Sequence, residues 1–167
     1  YRNLLTNNYP FVLLDRRVYG VHAPFVGSDN YHSMYTMVNH LIKLGHRRLG
    51  YVCIMPDKLE PDAERYRGFC RAMIENNLLI RPEYIELDFA GGEHQDVSLE
   101  EYTELFSKAA EDFIQRVSNL PTPPTAICAV NDHTAKYLLY AALKKGLRIP
   151  QDLSITGFDD LPLCKTL

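Results

Sequence analysis

Two acidic residues follow apolar runs that predict strands, and both are placed where ligands bind in α/β proteins. Asp15 follows the run 11–14, and Asp159 follows the run 153–158, where it is doubled by Asp160. In open parallel sheets, ligands bind beyond the carboxyl ends of the strands. Carboxylates accept hydrogen bonds in fixed directions, which suits a molecule rich in hydroxyl groups. We therefore predict that Asp15 and Asp159 contact a polyhydroxyl ligand.

Asp29 and Asp132 stand at similar strand ends, but each is next to a predicted helix. Asp and Asn are preferred N-caps, because the side-chain oxygen accepts a hydrogen bond from a first-turn N–H. We interpret Asp29 and Asp132 as helix caps, with ligand contact as the alternative.

Arg65 is the basic residue best suited to join the two acids. The stretch 64–69 opens a predicted helix over 62–77. A cation in a first turn opposes the helix dipole unless an anionic or hydroxyl-rich group lies nearby. The guanidinium fork of donors suits hydroxyl and carboxylate groups. Arg65 is therefore a candidate ligand contact; alternatively, Arg65 and Asp159 pair with nearby charges and only hold the fold.

The sequence lacks the usual signatures of catalysis and metal binding. It contains no GxGxxG after a strand and no GxxxxGK[ST], GxSxG or HExxH motif. The six His and four Cys residues show no metal-ligand spacing. The formal charge of −3 argues against a surface whose main role is nucleic-acid binding. We expect an enzyme function, a cofactor and a metal site to be absent.

The elements that must position these residues alternate between strand and helix. Predicted strands span 11–14, 25–28, 48–54, 84–87, 125–130 and 153–157. Predicted helices span 29–44, 62–77 and 132–145, and a fourth begins at the capping box Ser98–Glu101. This alternation predicts an α/β fold with a mostly parallel sheet flanked by helices. The continuous apolar character of 125–130 suits a strand covered on both faces.

The cysteines and the first residues of the chain bear on the cellular compartment in which the protein is expected. Cys53 and Cys128 lie within apolar runs, where a thiol behaves as a small hydrophobe. We favour four reduced thiols and a cytoplasmic protein. No apolar run approaches the ~18 residues needed to cross a bilayer. The start, Tyr1–Leu5, has no Met and no apolar leader, and we interpret it as a cut within a longer protein.

Several segments occur in an order that resembles a known family across nearly the whole chain. They are Pro10–Arg16, Ser28–Asn30, Leu41–Leu49, Arg65–Phe69, Pro124–Ile127, Asn131–Ala135 and Gly146–Asp160. Together they resemble the effector-binding domain of LacI/GalR-family bacterial transcription regulators.

The resemblance implies a periplasmic-binding-protein-like (type I) fold with two lobes that close on a small effector, often a sugar or nucleobase. Residues 1–27 would be the tail of the first lobe and residues 28–167 the second lobe. The DNA-binding headpiece would lie outside this chain, either a helix-turn-helix or a winged helix.

By the same resemblance, particular residues match ligand-contacting positions of the family. These are Asp15, Arg65, Asn131 and Asp159. Phe89 resembles the aromatic platform that stacks on a ligand ring, although the loop 91–94 departs from the family's usual pattern.

The favoured hypothesis is a ligand-sensing domain that binds a small effector, a sugar, and thereby controls operator DNA. The family pattern implies a homodimer formed through exposed apolar helix faces of the second lobe. An exported sugar-binding protein of a transporter is the alternative, and an α/β enzyme is a third hypothesis.

Overall fold

The computed structural model describes residues 2–18, 20–54, 60–91 and 97–165. In chain order, the helices and strands are α1 (Arg2–Thr6), β1 (Leu13–Leu14), β2 (Phe25–Val26), α2 (Asn30–Lys43), β3 (Leu49–Val52), α3 (Glu60–Glu75), β4 (Ile85–Glu86), α4 (Leu99–Ser118), β5 (Ala126–Ala129), α5 (Asp132–Lys144) and β6 (Ser154–Thr156). Short 3-10 helices span Pro82–Tyr84 and Pro162–Lys165.

The strands form two parallel sheets. One has four strands in the order β4-β3-β5-β6, and the other is the pair β1-β2. The predicted parallel α/β architecture is confirmed. After β3 the chain adds β4 on one side, then crosses to add β5 and β6 on the other. The carboxyl ends of β3 and β5 therefore form a topological switch point, where ligands bind in such sheets.

Two apolar layers cover the four-stranded sheet, as the continuous apolar runs predict. Successive residues of a strand point to opposite faces, so Tyr51 packs with α2 and α3 while Val52 packs with α4 and α5. All residues of β3 and β5 are buried. Each large side chain buried in this way contributes about 1.5–3 kcal/mol. These layers give the strand ends a rigid base.

Helix starts follow local capping signals. Asp29 caps α2, because its carboxylate accepts from the His32 N–H at 2.9 Å, and the capping box of Ser98 and Glu101 is present at α4. The interpretation of Asp132 as a cap is wrong. The cap of α5 is Asn131, whose side-chain oxygen accepts from the Thr134 N–H.

Helix α3 differs from its prediction at its start. It begins at Glu60, so Arg65 lies in its second turn and not in the first. Gly68 lets α2 and α3 approach closely, since a Cβ at this position would lie 2.3 Å from the carbonyl oxygen of Tyr31. This close packing holds α3, which carries Arg65, directly against α2. Within the described residues, no helix combines the length and apolar character needed to cross a bilayer.

Candidate functional site

Arg65 lies at the centre of a polar cluster where three strands end. Its Nε donates to Asn30 Oδ1 at 2.8 Å, and its Nη1 donates to the Val130 carbonyl at 2.7 Å. Its Nη2 donates to Asp159 Oδ1 at 3.2 Å. Asn30 follows β2, Val130 follows β5 and Asp159 follows β6. One guanidinium therefore connects three strand ends.

The surroundings of Arg65 explain why a buried cation is tolerated. Its side chain is only 9% exposed, and the guanidinium carbon lies 3.8 Å from the centre of the Phe158 ring. A buried charge requires hydrogen bonds and a counter-charge, and the three acceptors and the ring supply them. Among the residues that the structure describes, acceptors bind three of the five guanidinium N–H groups, which leaves two of them for another acceptor.

Asp159 pairs with Arg65 and remains open to a further contact. Its side chain is 39% exposed. Among the described residues, Oδ2 has no hydrogen-bond partner. Asp159 and its neighbour Asp160 have φ values of +97° and +54°. Non-glycine residues rarely adopt positive φ, and such strain concentrates at ligand sites.

Asn131 caps α5 through its side-chain oxygen. Its Oδ1 accepts from the Thr134 N–H at 2.9 Å. Within the described ranges, its amide nitrogen donates to no other group. Capping and ligand contact are compatible here, because the cap uses the acceptor and leaves the donors. Asn131 directly follows Val130, whose carbonyl accepts from Arg65, so it is adjacent in the chain to the Arg65 cluster.

Asp15 lies beside a neighbouring groove of about 220 Å³. The groove runs between the β1-β2 pair and the starts of α2 and α3, and is lined by Asp15, Arg17, Phe25, Ser28, Asp29, Asn30, Tyr31, Glu60, Pro61 and Glu64. Asp15 is exposed, has φ +68° and pairs with Arg16 at 3.4 Å. Asn30 both lines this groove and accepts from Arg65, so it joins Asp15's surroundings to the cluster.

Phe89 is not brought to the cluster. Its ring is 1% exposed and packs edge-on against Phe106, with ring centres 5.6 Å apart. This contact belongs to the apolar layer of α4 and α5. A stacking platform needs an open ring face, and burial leaves Phe89 none. The expectation of a platform at this position is corrected accordingly.

Sequence reasoning gave Phe158 and Asn30 no role at the site, and it interpreted Asp132 as a helix cap. Phe158 stacks on Arg65, Asn30 accepts from it, and Asp132 is buried beneath the segment that carries Asp159. The pairs Asp29-Asn30 and Asn131-Asp132 signal polar strand ends, but the sequence does not tell which member caps the helix.

The thiols with perturbed pKa values are poor nucleophiles. Burial raises the pKa of Cys128 to about 12, and burial also raises the pKa of the Cys70 thiol. A hydrogen bond to the Asp132 carboxylate raises the pKa of the Cys164 thiol. Reactive cysteines have a lowered pKa, so these three lack the usual activation. In the part of the chain that the structure describes, no group of His, Cys, Asp or Glu is arranged to hold a metal ion.

The parallel sheet with helices on both faces and the polar cluster at its strand ends are typical of a periplasmic binding protein-like domain. The model of the periplasmic binding protein-like domain family matches residues 38–167. The chain belongs to this family.

Curated relatives place the chain more narrowly. The arabinose metabolism transcriptional repressor of Geobacillus stearothermophilus is 34% identical over 160 residues, covering 96% of this chain and 40% of that protein. The HTH-type transcriptional repressor CytR of Escherichia coli K12 is 32% identical over 158 residues, covering 92% of this chain and 40% of that protein. The chain thus spans about two fifths of the length of these relatives.

Solved structures agree with this placement. A LacI-family regulatory protein from Chloroflexus aggregans superposes with a TM-score of 0.80 at 28% identity, covering 99% of this chain and 54% of that one. A LacI-type regulator from Bacillus cereus subsp. cytotoxis superposes with a TM-score of 0.76 at 26% identity, covering 99% and 53%. The resemblance to LacI/GalR-family regulators is confirmed.

Proposed function

We propose that this chain is the effector-binding part of a DNA-binding transcription regulator, and that its effector is a sugar. The observation that carries the proposal is the Arg65 cluster, which presents polar groups at the carboxyl ends of three strands. Regulators related to the chain over nearly its whole length support the same function.

The geometry supplies the groups that a hydroxyl-rich molecule needs. Asp159 offers a carboxylate oxygen, while Arg65 and Asn131 offer N–H donors that bind no other described residue. A hydroxyl both donates and accepts, so adjacent donors and acceptors bind neighbouring hydroxyls together. Bonds to the charged groups are about twice as strong as neutral ones. Asp15 contacts the same molecule from the side of the β1-β2 pair.

The site lies between the two parts that the family pattern separates. We assign residues 1–27 to the first lobe and residues 28–167 to the second. Effector binding then shifts the population of open and closed arrangements of the lobes, because the ligand contacts both in the closed one. Operator DNA is bound by a headpiece outside this chain, and the regulator acts as a cytoplasmic homodimer.

Two other functions have less support. The relatives named above are regulators, and none of their names describes a transport protein or an enzyme. The raised pKa values of the Cys70, Cys128 and Cys164 thiols also argue against nucleophilic catalysis. We propose that the chain catalyses no reaction and needs no cofactor.

A thermal-shift panel tests the proposal. It comprises pentoses including L-arabinose, hexoses, nucleosides, nucleobases and sugar phosphates. A bound compound at 100 times its dissociation constant adds about 2.7 kcal/mol of stability. We expect at least one neutral sugar to raise the melting temperature.

NMR then locates the bound compound. The Arg65 Nε–H and Asn131 side-chain amide resonances should move upon titration. Arg67 is a matched control, because it lies on the same helix but is exposed and paired with Glu64. A panel with no stabilising compound, or shifts confined to residues away from Arg65, would contradict the proposal.

A further inference from the structure

We propose that Asp132 is the positioning residue that holds Phe158 and Asp159 against Arg65. The inference rests on the proposed function in one respect, since it takes Arg65 and Asp159 to be ligand contacts. Asp132 itself does not touch the ligand in this account. It acts through the segment that follows β6.

Asp132 attaches this segment at two points. Its backbone N–H donates to the Phe158 carbonyl at 2.9 Å. Its carboxylate oxygen Oδ2 accepts from the Leu161 N–H at 2.8 Å. The two bonds flank Asp159, so they fix the chain on both sides of the residue that pairs with Arg65.

The Asp132 carboxylate has further neighbours next to the segment that follows β6. The Cys164 thiol lies near this carboxylate, which raises the pKa of the thiol. A Cβ at Gly157 would lie 2.1 Å from Asp132 Oδ1, so this close approach requires glycine. Asp132 is only 6% exposed, and a buried polar side chain needs hydrogen-bond partners.

The segment needs external support because its own backbone is strained. Asp159 and Asp160 both have positive φ, and Asp159 is partly exposed. Strained backbone persists only where surrounding contacts fix it. The bonds from Asp132 provide that fixation directly on either side of the strained residues.

A different role for Asp132 is stabilisation of α5 through the helix dipole. An acid in the first turn favours the helix wherever the rest of its side chain lies. Asn131 already caps this helix, and the dipole needs no contact with Leu161. The two roles therefore predict different effects of one substitution on Arg65.

The test measures the free chain by NMR and uses no ligand. In Asp132→Ala, we expect the Leu161 amide to exchange about tenfold faster, the change that losing one net hydrogen bond produces. The Arg65 Nε–H resonance should also shift or broaden. Asp132→Asn retains an acceptor and should largely restore both signals. Glu100→Ala, which removes an exposed first-turn acid from α4, should change neither.

A second variant keeps the test decisive if Asp132→Ala does not fold. Gly157→Ala retains the carboxylate but displaces it, and should change the Leu161 and Arg65 signals in the same way. An unchanged Arg65 resonance in a folded variant whose Leu161 amide exchanges rapidly would overturn the proposal. Because no ligand is used, a compound panel without a stabilising compound would contradict the proposed function but leave the role of Asp132 intact. An unchanged Arg65 resonance would contradict the role of Asp132 but leave the proposed function intact.

Discussion

The four-stranded sheet and the β1-β2 pair use similar apolar residues but bury them very differently. Every residue of β3 is buried. On the β1-β2 pair only Leu13 is buried, whereas Leu14 is 76% exposed and Val26 is 60% exposed. Helices cover both faces of the larger sheet. The solvent exposure of an apolar strand therefore depends on the helices that pack against it. The apolar character of its own residues does not determine that exposure.

The candidate site shows the same difference between side chains near the larger sheet and a side chain on the β1-β2 pair. Arg65 is fixed by three hydrogen bonds and an aromatic ring, and Asn131 is fixed by its cap. Asp15 is exposed and its side chain pairs only with the adjacent, exposed Arg16 among the described residues. Among the described residues, the larger sheet thus holds its polar side chains through several contacts, and the β1-β2 pair holds Asp15 through one.

The largest expected effect tests the contrast in burial. Leu49→Ala should destabilise the chain by about 2–5 kcal/mol, because it removes buried methyl groups and leaves a cavity. Leu14→Ala, the matched control on β1, should change stability by less than about 0.5 kcal/mol. Urea unfolding measures both values. Equal losses would mean that the two regions do not differ in packing as described.

A smaller effect tests how much the local capping signal of α4 contributes to the stability of the chain. Ser98→Ala removes the capping box of α4 and should cost about 1 kcal/mol. Ser33→Ala, on the exposed side of α2, should be close to neutral. The measurement is again urea unfolding. No difference between the two variants would show that tertiary packing alone sets the start of α4.

The smallest expected effect concerns pH at the other end of the larger sheet. The His46 ring contacts the Thr125 hydroxyl at 2.9 Å and the Ser154 hydroxyl at 3.3 Å. Burial lowers the pKa of His46 below its usual 6.5. The folded state thus favours the neutral ring. Its contribution to stability is complete above the unfolded pKa and is lost as pH falls through the folded pKa.

Unfolding curves between about pH 7 and pH 5 check this sign. The wild-type chain should lose slightly more stability on acidification than His46→Gln, with solvent screening keeping the difference small. His40→Gln, at an exposed position on α2, should follow the wild-type curve. A His46→Gln variant that loses more stability than wild type would reverse the sign.

Local patterns predicted the elements well because their causes are local. The buried strand β5 and the capping box at Ser98 follow from short stretches of sequence. Helix α1 and the turn Pro162–Lys165 were missed, since neither has an amphipathic pattern long enough to stand out. Within the segment 91–94, which departs from the family pattern, residues 92–94 lie outside the described residues.

The contacts around Arg65 could be anticipated only where strand ends decide them. Val130 and Asp159 approach Arg65 because parallel strands bring their carboxyl ends together, and α3 carries Arg65 to that edge. Whether the Phe89 ring is open to a ligand depends on the face of the sheet on which it packs, and no nearby residue specifies that face. The cap of α5 is Asn131 because of the backbone geometry at one residue, which the adjacent Asn131-Asp132 pair leaves open.

Calorimetry on one pair of variants tests the central claim that the Arg65 cluster binds the effector. The titrant is the compound that stabilises the wild-type chain most in the thermal-shift panel. Asp159→Asn keeps the side-chain shape but removes the charge that faces Arg65. Asp160→Asn is the matched control, because Asp160 is adjacent and also has positive φ but has no ion-pair partner among the described residues. The account predicts a tenfold to hundredfold loss of affinity for Asp159→Asn, corresponding to about 1.5–3 kcal/mol for a bond to a charged group. Asp160→Asn should retain wild-type affinity; unchanged affinity in Asp159→Asn, with only a lower melting temperature, would contradict the account.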